Sequence, residues 1–562
     1  MRKLLWIVLA LAFVIGGIYL GRRIYVSARQ TSLTKQAKEY IAAGDDKNAL
    51  LCLRRIIDAN SHDAEAYRLM AQIAEANRSP NALTWRTKVL ELNPTSFPDQ
   101  LALARIAVAS GQYLTASNVL AQVAPANRKT VQYHTAMGTL EMLFEPNKAV
   151  ADFTAALQLM PNDPTLQFSL AMSQLSITNS PQLQATGRAK LQELSTKSSS
   201  PAVRCQSLRQ LIEDALRNKQ PGEALALVRQ LLADPGAEFQ DWLLRLGVLQ
   251  AAKNPGFQST LAATERVAAT NLVTAFDLGT WEQAKISPNG PNVALNWLES
   301  LPPGIQTNQP VALLMAQCRD AVADWRNLQA TLERQKWGDL EFFRHAFLAR
   351  ALRGQNLEGA AKAEWEIAIR QVNGDKDQYG ALLHLAAGWN WAGETEELCW
   401  AIVNQFPDEW GVVQTLTRTL YASGRTRALL TLYFQQAKRF PDNADVNNNL
   451  AMAALLLDAQ EYKPAELAER TYKSNPTNPD FASTYAFSLY LQKRYADALK
   501  VMSSIQPEAL ENDQLAGYYG LVLAANGDRA KAKHYLMLGL NRPDHPPLPE
   551  ERKLFERALN GK

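Results

Sequence analysis

The sequence predicts an all-α protein: a solenoid of stacked helix–turn–helix repeats preceded by one membrane-spanning helix. Three observations predict it. Leu4–Leu20 reads LLWIVLALAFVIGGIYL, an apolar run without a charge. Alanine-bearing helices recur downstream, with Ala49, Ala82, Ala116 and Ala149 lying 33, 34 and 33 residues apart. Hydrophobic residues make up 47% and charged residues 20% of the 562, the balance of a chain that buries a core.

The first element is the apolar run. At ~1.5 Å rise per residue it makes about 26 Å of helix, a little under the ~30 Å hydrocarbon core. Ile24, Tyr25 and Val26 extend it if Arg22 and Arg23 snorkel toward the head groups. A cleaved signal would use Val26-Ser27-Ala28, but that site lies behind two arginines, so an uncleaved single-span anchor over residues 1–30 is the expectation. Lipid contact through Leu4–Leu20 follows, and Gly17 and Gly21 form a GxxxG pair able to bring two spans together in self-association. Orientation signals oppose each other. The basic C-terminal flank favours a cytoplasmic domain, whereas Met-Arg-Lys before an apolar run is the order of an export signal. The extracytoplasmic placement is the expectation adopted. A mean hydropathy of −0.23 excludes a multi-pass transporter. The net charge of +4 excludes nucleic-acid binding by a broad basic face.

The repeat continues to the end of the chain. Pro94 and Pro161 are 67 apart, two periods; Phe406-Pro407-Asp408 and Phe440-Pro441-Asp442 recur at 34, as do Ala498 and Ala532. This pattern resembles the tetratricopeptide repeat, a helix–turn–helix unit of 34 residues, and the resemblance implies a right-handed α-solenoid. Asp513 to Pro546 fits best. There Tyr519-Gly520 packs the first helix, Gly527 makes the turn, and Ala532 and Leu536 begin the second helix. Tyr133 to Pro161 and Asn443 to Pro476 also fit. Residues 237–341 fit less well, with Asp241-Trp242 to Gly247 slipped by one residue and Lys253-Asn254-Pro255-Gly256 supplying the turn. Ser198-Ser199-Ser200-Pro201 reads as a join between blocks. The expected organisation is 31–197, a divergent block 198–407, a C-terminal block 408–546 and a capping helix over 547–562 with a charged outer face.

No catalytic constellation emerges. HExxH, phosphate-binding glycine loops and the GxSxG elbow are all missing from the sequence. Cys52, Cys205, Cys318 and Cys399 lie too far apart in sequence for a CxxC site, and the six histidines share no ligand-like spacing, so no metal or cofactor is expected. His134, His345, His384 and His534 read as hydrogen-bonded helix residues, and Glu394, Glu396 and Glu397 as charges that suit a helix start. Trp365, Trp389, Trp391, Trp400 and Trp410 read mainly as packing, with an aromatic patch for a peptide or sugar as the sharper alternative. An enzyme hidden in 237–341 would need convergent polar groups, where Trp281, Trp297, Trp325 and Trp337 suggest packing instead.

The resemblance implies binding of partner proteins or peptides in a concave groove lined by first-helix residues. Carried over by repeat register, that groove presents Gln414, Arg418, Asn448, Asn449, Tyr490 and Tyr518. Asn447-Asn448-Asn449 stands out, because consecutive amides form helix poorly and can hold an extended peptide backbone. The lysine–asparagine clamp that some family members use for C-terminal carboxylates is incomplete. The expected function is a membrane-anchored, non-catalytic scaffold; the alternative is a component of envelope polysaccharide assembly, export or secretion machinery. The span followed by Gly21-Arg22-Arg23 is similar to a bacterial lipopolysaccharide-assembly family, but the cysteine knuckle of that family has no counterpart in Arg552–Lys562.

Overall fold

The computed structural model describes residues 29–561 apart from 78, 80, 373 and 543–545. Every regular element among the described residues is a helix, and none is a strand. The anchor expected at Leu4–Leu20, with Gly17, Gly21 and the basic flank, lies outside the described residues. Among the described residues, no helix is long and apolar enough to cross a membrane. Cα packing divides the chain into two units, Met1–Pro288 and Asn289–Lys562.

In the first unit, helices 29–42 and Asp46–Ala59 pair through Gly44, whose φ of 75° glycine adopts at little steric cost because it has no Cβ. The pairs Ala64–Ala76 with Asn81–Leu92, Phe97–Ala109 with Tyr113–Ala121, and Val131–Glu141 with Pro146–Leu159 follow, each helix packing on its sequence neighbours. Ala49, Ala82, Ala116 and Ala149 are all buried where the paired helices cross, so the 33–34-residue alanine spacing marks real crossings. Successive repeats are also tied by ion pairs whose carboxylates are buried and whose arginines are partly exposed. Arg68 donates twice to Asp99, at 2.8 Å each, and Arg209 to Asp241 at 2.6 and 2.8 Å. These bidentate pairs leave neither carboxylate oxygen bare. A second tie recurs at the loop prolines. The Gln100 amide donates to the Pro94 carbonyl and the Gln167 amide to that of Pro161.

The second unit repeats the same device with fewer glycines. Ala323, Asn356, Asn390, Gly424, Asp458, Lys493 and Gly527 all have positive φ and follow one another at 33- to 35-residue intervals. Each terminates the first helix of a pair. Only two of the seven are glycine, so the turn is marked by backbone position rather than by residue type. In the first unit Lys253 (φ 47°) does this work, rather than Gly256 of the expected Lys253–Gly256 turn, whose φ is −75°. At Gly520, close approach demands glycine: a Cβ would lie 2.8 Å from the backbone nitrogen of Leu536 on the partner helix.

Within each unit the core is a chain of local clusters. Ala149, Phe153, Ala156 and Leu166 form one; Ala482, Ala486, Leu489, Ala498 and Met502 belong to another. This is the packing of a repeat array, in which each helix pair buries its apolar face against its neighbours. Among the described residues the chain is an array of paired helices, a helical repeat protein.

The final helix, Pro549–Leu559, packs on Asp513–Ala525 and Arg529–Leu540 and also reaches far back along the chain. Thr426 donates to the carboxylate of Glu550, and Leu548 joins the cluster around Leu416, Leu420 and Leu429. Its Phe555 is fully buried against Tyr518. The helix therefore bridges repeats more than 120 residues apart, besides covering the last pair.

Candidate functional site

The first helices of four consecutive pairs, Trp410–Ala422, Ala444–Leu456, Pro479–Leu491 and Asp513–Ala525, line a cavity of about 650 Å³. Their walls follow the repeat register. Asp445 and Asp480 occupy equivalent first-turn positions at the mouth, and Gln414, Asn448 and Ser483 equivalent positions one turn further in. Tyr433 and Gln436, on the second helix Thr426–Arg439, form the floor. Burial pushes the Tyr433 hydroxyl up to about 12, against a smaller opposing hydrogen bond from Thr417.

The closing helix supplies one end. Glu551, 3% exposed, accepts from the Tyr518 hydroxyl at 2.5 Å, the Tyr421 hydroxyl at 2.9 Å and the Leu548 N–H at 2.8 Å. Arg542 Nη1 stands 3.5 Å from the same carboxylate and donates to Tyr421 Oη at 3.2 Å. Burial, then the Glu551 charge, drives both tyrosines above their ordinary pKa, so both act as neutral donors. Burial opposes the charge on Arg542, but Glu551 and the two tyrosines outweigh it and hold the guanidinium above its usual value. The cluster is a neutral, hydrogen-bonded ion pair that fixes the closing helix against the groove.

Around this cluster the cavity carries buried polar atoms with no partner among the described residues. They are Gln436 Oε1, Asn448 Oδ1, Ser483 Oγ, and Arg542 Nε and Nη2. All four side chains are at least nine-tenths buried. An unsatisfied buried polar group costs about 1–3 kcal/mol, and here donors and acceptors without partners are concentrated around one cavity.

Of the six groove residues expected from sequence, five meet here: Gln414, Arg418, Asn448, Asn449 and Tyr518. Tyr490 does not. Its ring stacks against Phe487 and Tyr495, in the cluster where the closing helix inserts Phe555, so that level of the groove is already filled. Asn447 is also spent: it is buried, and its amide donates to the Pro441 carbonyl at 2.7 Å, the same loop tie that Gln100 and Gln167 make. The three-asparagine run therefore divides into one structural amide and two that face the cavity. Ser483 and Asp480 could have been found by extending the register from Asn448 and Asp445. No local signal points to Arg542 or Glu551, because their partner Tyr421 lies 121 and 130 residues away.

Most of the remaining candidates have structural partners, although His384 is exposed on Lys376–Gly388. His134 pairs with Asp152 at 2.6 Å, His345 with Glu364 at 2.5 Å and His534 with Glu511 at 3.1 Å. Glu394 and Glu396 serve as inter-repeat partners of Arg353 and Arg425. Cys52, Cys205 and Cys399 are buried; burial raises the Cys205 and Cys399 thiols to about 11, far from reactive thiolates. Trp365 and Trp391 are core, Arg353 lies 3.8 Å over the Trp391 ring, and Trp389 donates to Asp320 at 2.8 Å. Trp297 and Trp337 are likewise buried. Trp410 differs, standing 39% exposed at the cavity mouth.

No family model matches the chain, and no curated protein matches it. Among solved structures it is similar to a chain of the APC/C hetero-tetramer Cut9–Hcn1, at 12% identity over 95% of this chain and 97% of that one, with a TM-score of 0.26. The structure of Naa15/Naa10 bound to HypK-THB matches at 14% identity over 95% and 79%, with a TM-score of 0.25. Likeness at this level bears on neither fold nor function, which rest on the helix pairs and the cavity.

Proposed function

We propose that the chain is a membrane-tethered, non-catalytic scaffold that holds a segment of a partner protein in the cavity of its C-terminal repeats. The observation that carries the reading is the set of buried, unpartnered polar atoms on Gln436, Asn448, Ser483 and Arg542. Their number and mixed donor–acceptor character call for a ligand rich in amides, and a peptide backbone supplies both in alternation. Tethering rests on the uncharged run Leu4–Leu20, and the extracytoplasmic placement on the Met-Arg-Lys that precedes it. Trp410 beside Gln414 and Asn449 gives the second reading, in envelope polysaccharide assembly, its support: an exposed aromatic flanked by amides suits a sugar ring.

The test compares membranes bearing the wild-type chain with membranes bearing Gln414→Trp/Asn449→Trp. Both positions are exposed on the lining, so the indoles fill the cavity without disturbing the core. Loss of a co-purifying protein is the expected result; an unchanged set of partners would contradict this site. A C-terminal reporter active on one side of the membrane checks the placement.

A further inference from the structure

The cavity mouth carries a charge pattern that the scaffold reading leaves unused. Asp445 and Asp480 sit at equivalent positions of adjacent first helices, and neither forms an ion pair among the described residues. The concave wall and then the Asp445 charge raise the Asp480 pKa, although both side chains reach solvent. Two carboxylates thus repel each other with no cation of the described residues between them. Arg418, on the neighbouring helix, is about 10 Å further along the axis by helical rise and bridges to neither. Among the described residues, some carboxylates between repeats have arginines against them, as Asp99 has Arg68 and Glu394 has Arg353.

The groups next to this pair point to what fills it. Val446 and Phe481, each adjacent in sequence to one of the aspartates, are buried lining residues, and Leu515 lies on the next helix. An apolar collar beneath a carboxylate pair suits the methylene stem of a long basic side chain better than the hydroxylated ring of an amino sugar. Among the described residues no group of three or more metal-ligating side chains gathers. One turn inward stand the orphaned Asn448 Oδ1 and Ser483 Oγ, ready for the backbone that carries such a side chain, and Arg542 Nε and Nη2 are donors for its carbonyls.

We infer that the segment bound in this cavity presents a lysine or arginine, whose cationic end sits between Asp445 and Asp480 while its backbone is held by Asn448, Ser483 and Arg542. This rests on the reading of the cavity as a peptide site and adds the chemistry that selects the peptide. The pair would favour segments with a basic residue at one fixed position and reject acidic ones, which is specificity by charge complementarity at the rim.

The experiment applies the purified full-length chain, in detergent, to an array of random decapeptides acetylated and amidated at their ends, so that only side chains carry charge. Bound peptides are expected to show lysine or arginine enriched at one position. Asp445→Asn/Asp480→Asn is expected to weaken their retention about tenfold, as loss of a rim charge pair does. Asp480→Lys is expected to turn the preference toward aspartate and glutamate. Gln414→Trp/Asn449→Trp is expected to abolish binding altogether. Enrichment of peptides without a basic residue, or a basic preference that Asp445→Asn/Asp480→Asn and Asp480→Lys leave intact, overturns the inference while the cavity reading stands. Peptide binding that survives the two tryptophans, or no peptide binding at all, overturns both. Glucosamine oligomers, applied separately, retained where no peptide binds, likewise overturn both and assign the cation to a sugar.

Discussion

Replacing Glu551 by alanine tests whether the closing helix is held in the groove by the buried cluster. The carboxylate is 3% exposed and accepts three hydrogen bonds, from Tyr518, Tyr421 and the Leu548 N–H, while facing Arg542 at 3.5 Å. Alanine leaves those donors unmet and strands a guanidinium that is itself 5% exposed. Removing one partner of a buried pair costs about 3–5 kcal/mol, so a loss of about 4 kcal/mol is expected. A repeat array does not unfold in one step, which makes a global midpoint a poor gauge. Amide hydrogen exchange reads the loss locally: Asp513–Ala525 and Pro549–Leu559 should exchange about 10³-fold faster, while Ala64–Ala76 in the first unit stays unchanged. Arg542→Met added to Glu551→Ala removes the stranded charge and should recover part of the protection. A loss below about 1 kcal/mol, or a double variant whose losses simply add, would refute the reasoning.

Other outcomes follow from the same packing. Gly520→Ala should cost about 1–3 kcal/mol, measured as lost exchange protection in Arg529–Leu540, because its Cβ meets the Leu536 backbone at 2.8 Å. Gly527→Ala, which meets no atom but sits at φ 92°, should cost about 1 kcal/mol from backbone strain alone. Asp241→Ala removes both hydrogen bonds to Arg209, which keeps only the longer Glu238 contact at 3.7 Å, leaves the Glu238 N–H unpaired, and should loosen Phe239–Ala251 by about 2 kcal/mol, read by the same method. Glu282 is fully buried, neither of its oxygens has a partner among the described residues, and burial followed by Glu265 raises its pKa to about 8. A folded-state pKa raised above the unfolded value means stability fully present below about 4.5 and lost as pH rises through about 8, on the order of 5 kcal/mol in all. Glu282→Gln should therefore match wild type in amide-exchange protection of Leu272–Lys285 near pH 4.5 and exceed it at pH 9; the same difference at both pH values would contradict the assignment.

The helix pairs were legible because their crossings need a small residue at fixed intervals, and alanine at 49, 82, 116 and 149 keeps that interval in the open. The middle of the chain was harder to read for a physical reason. Its turns require a positive φ, yet Lys253, Ala323, Asn356 and Asn390 supply it where glycine would have announced it. The groove was legible as far as periodicity reaches: Gln414 and Asn448 follow from register, and Asn449 from its place beside Asn448. Tyr490 failed because register places a side chain on a face without saying what else packs there, and the closing helix packs there. Arg542 and Glu551 escaped for the same reason in reverse. Their role depends on a chain that returns across more than 120 residues, and helical periodicity carries no information at that range.

The central claim is that the first-helix face of the C-terminal repeats is where a partner segment docks. A photo-crosslinking amino acid placed at Asn449 inside the lining, and in a separate variant at Lys438, exposed on a second helix and not among the lining residues, reads this directly in intact membranes. Adducts to a defined peptide segment at Asn449, with none at Lys438, are the predicted result. Equal adducts at both positions, or adducts at Lys438 alone, would contradict it.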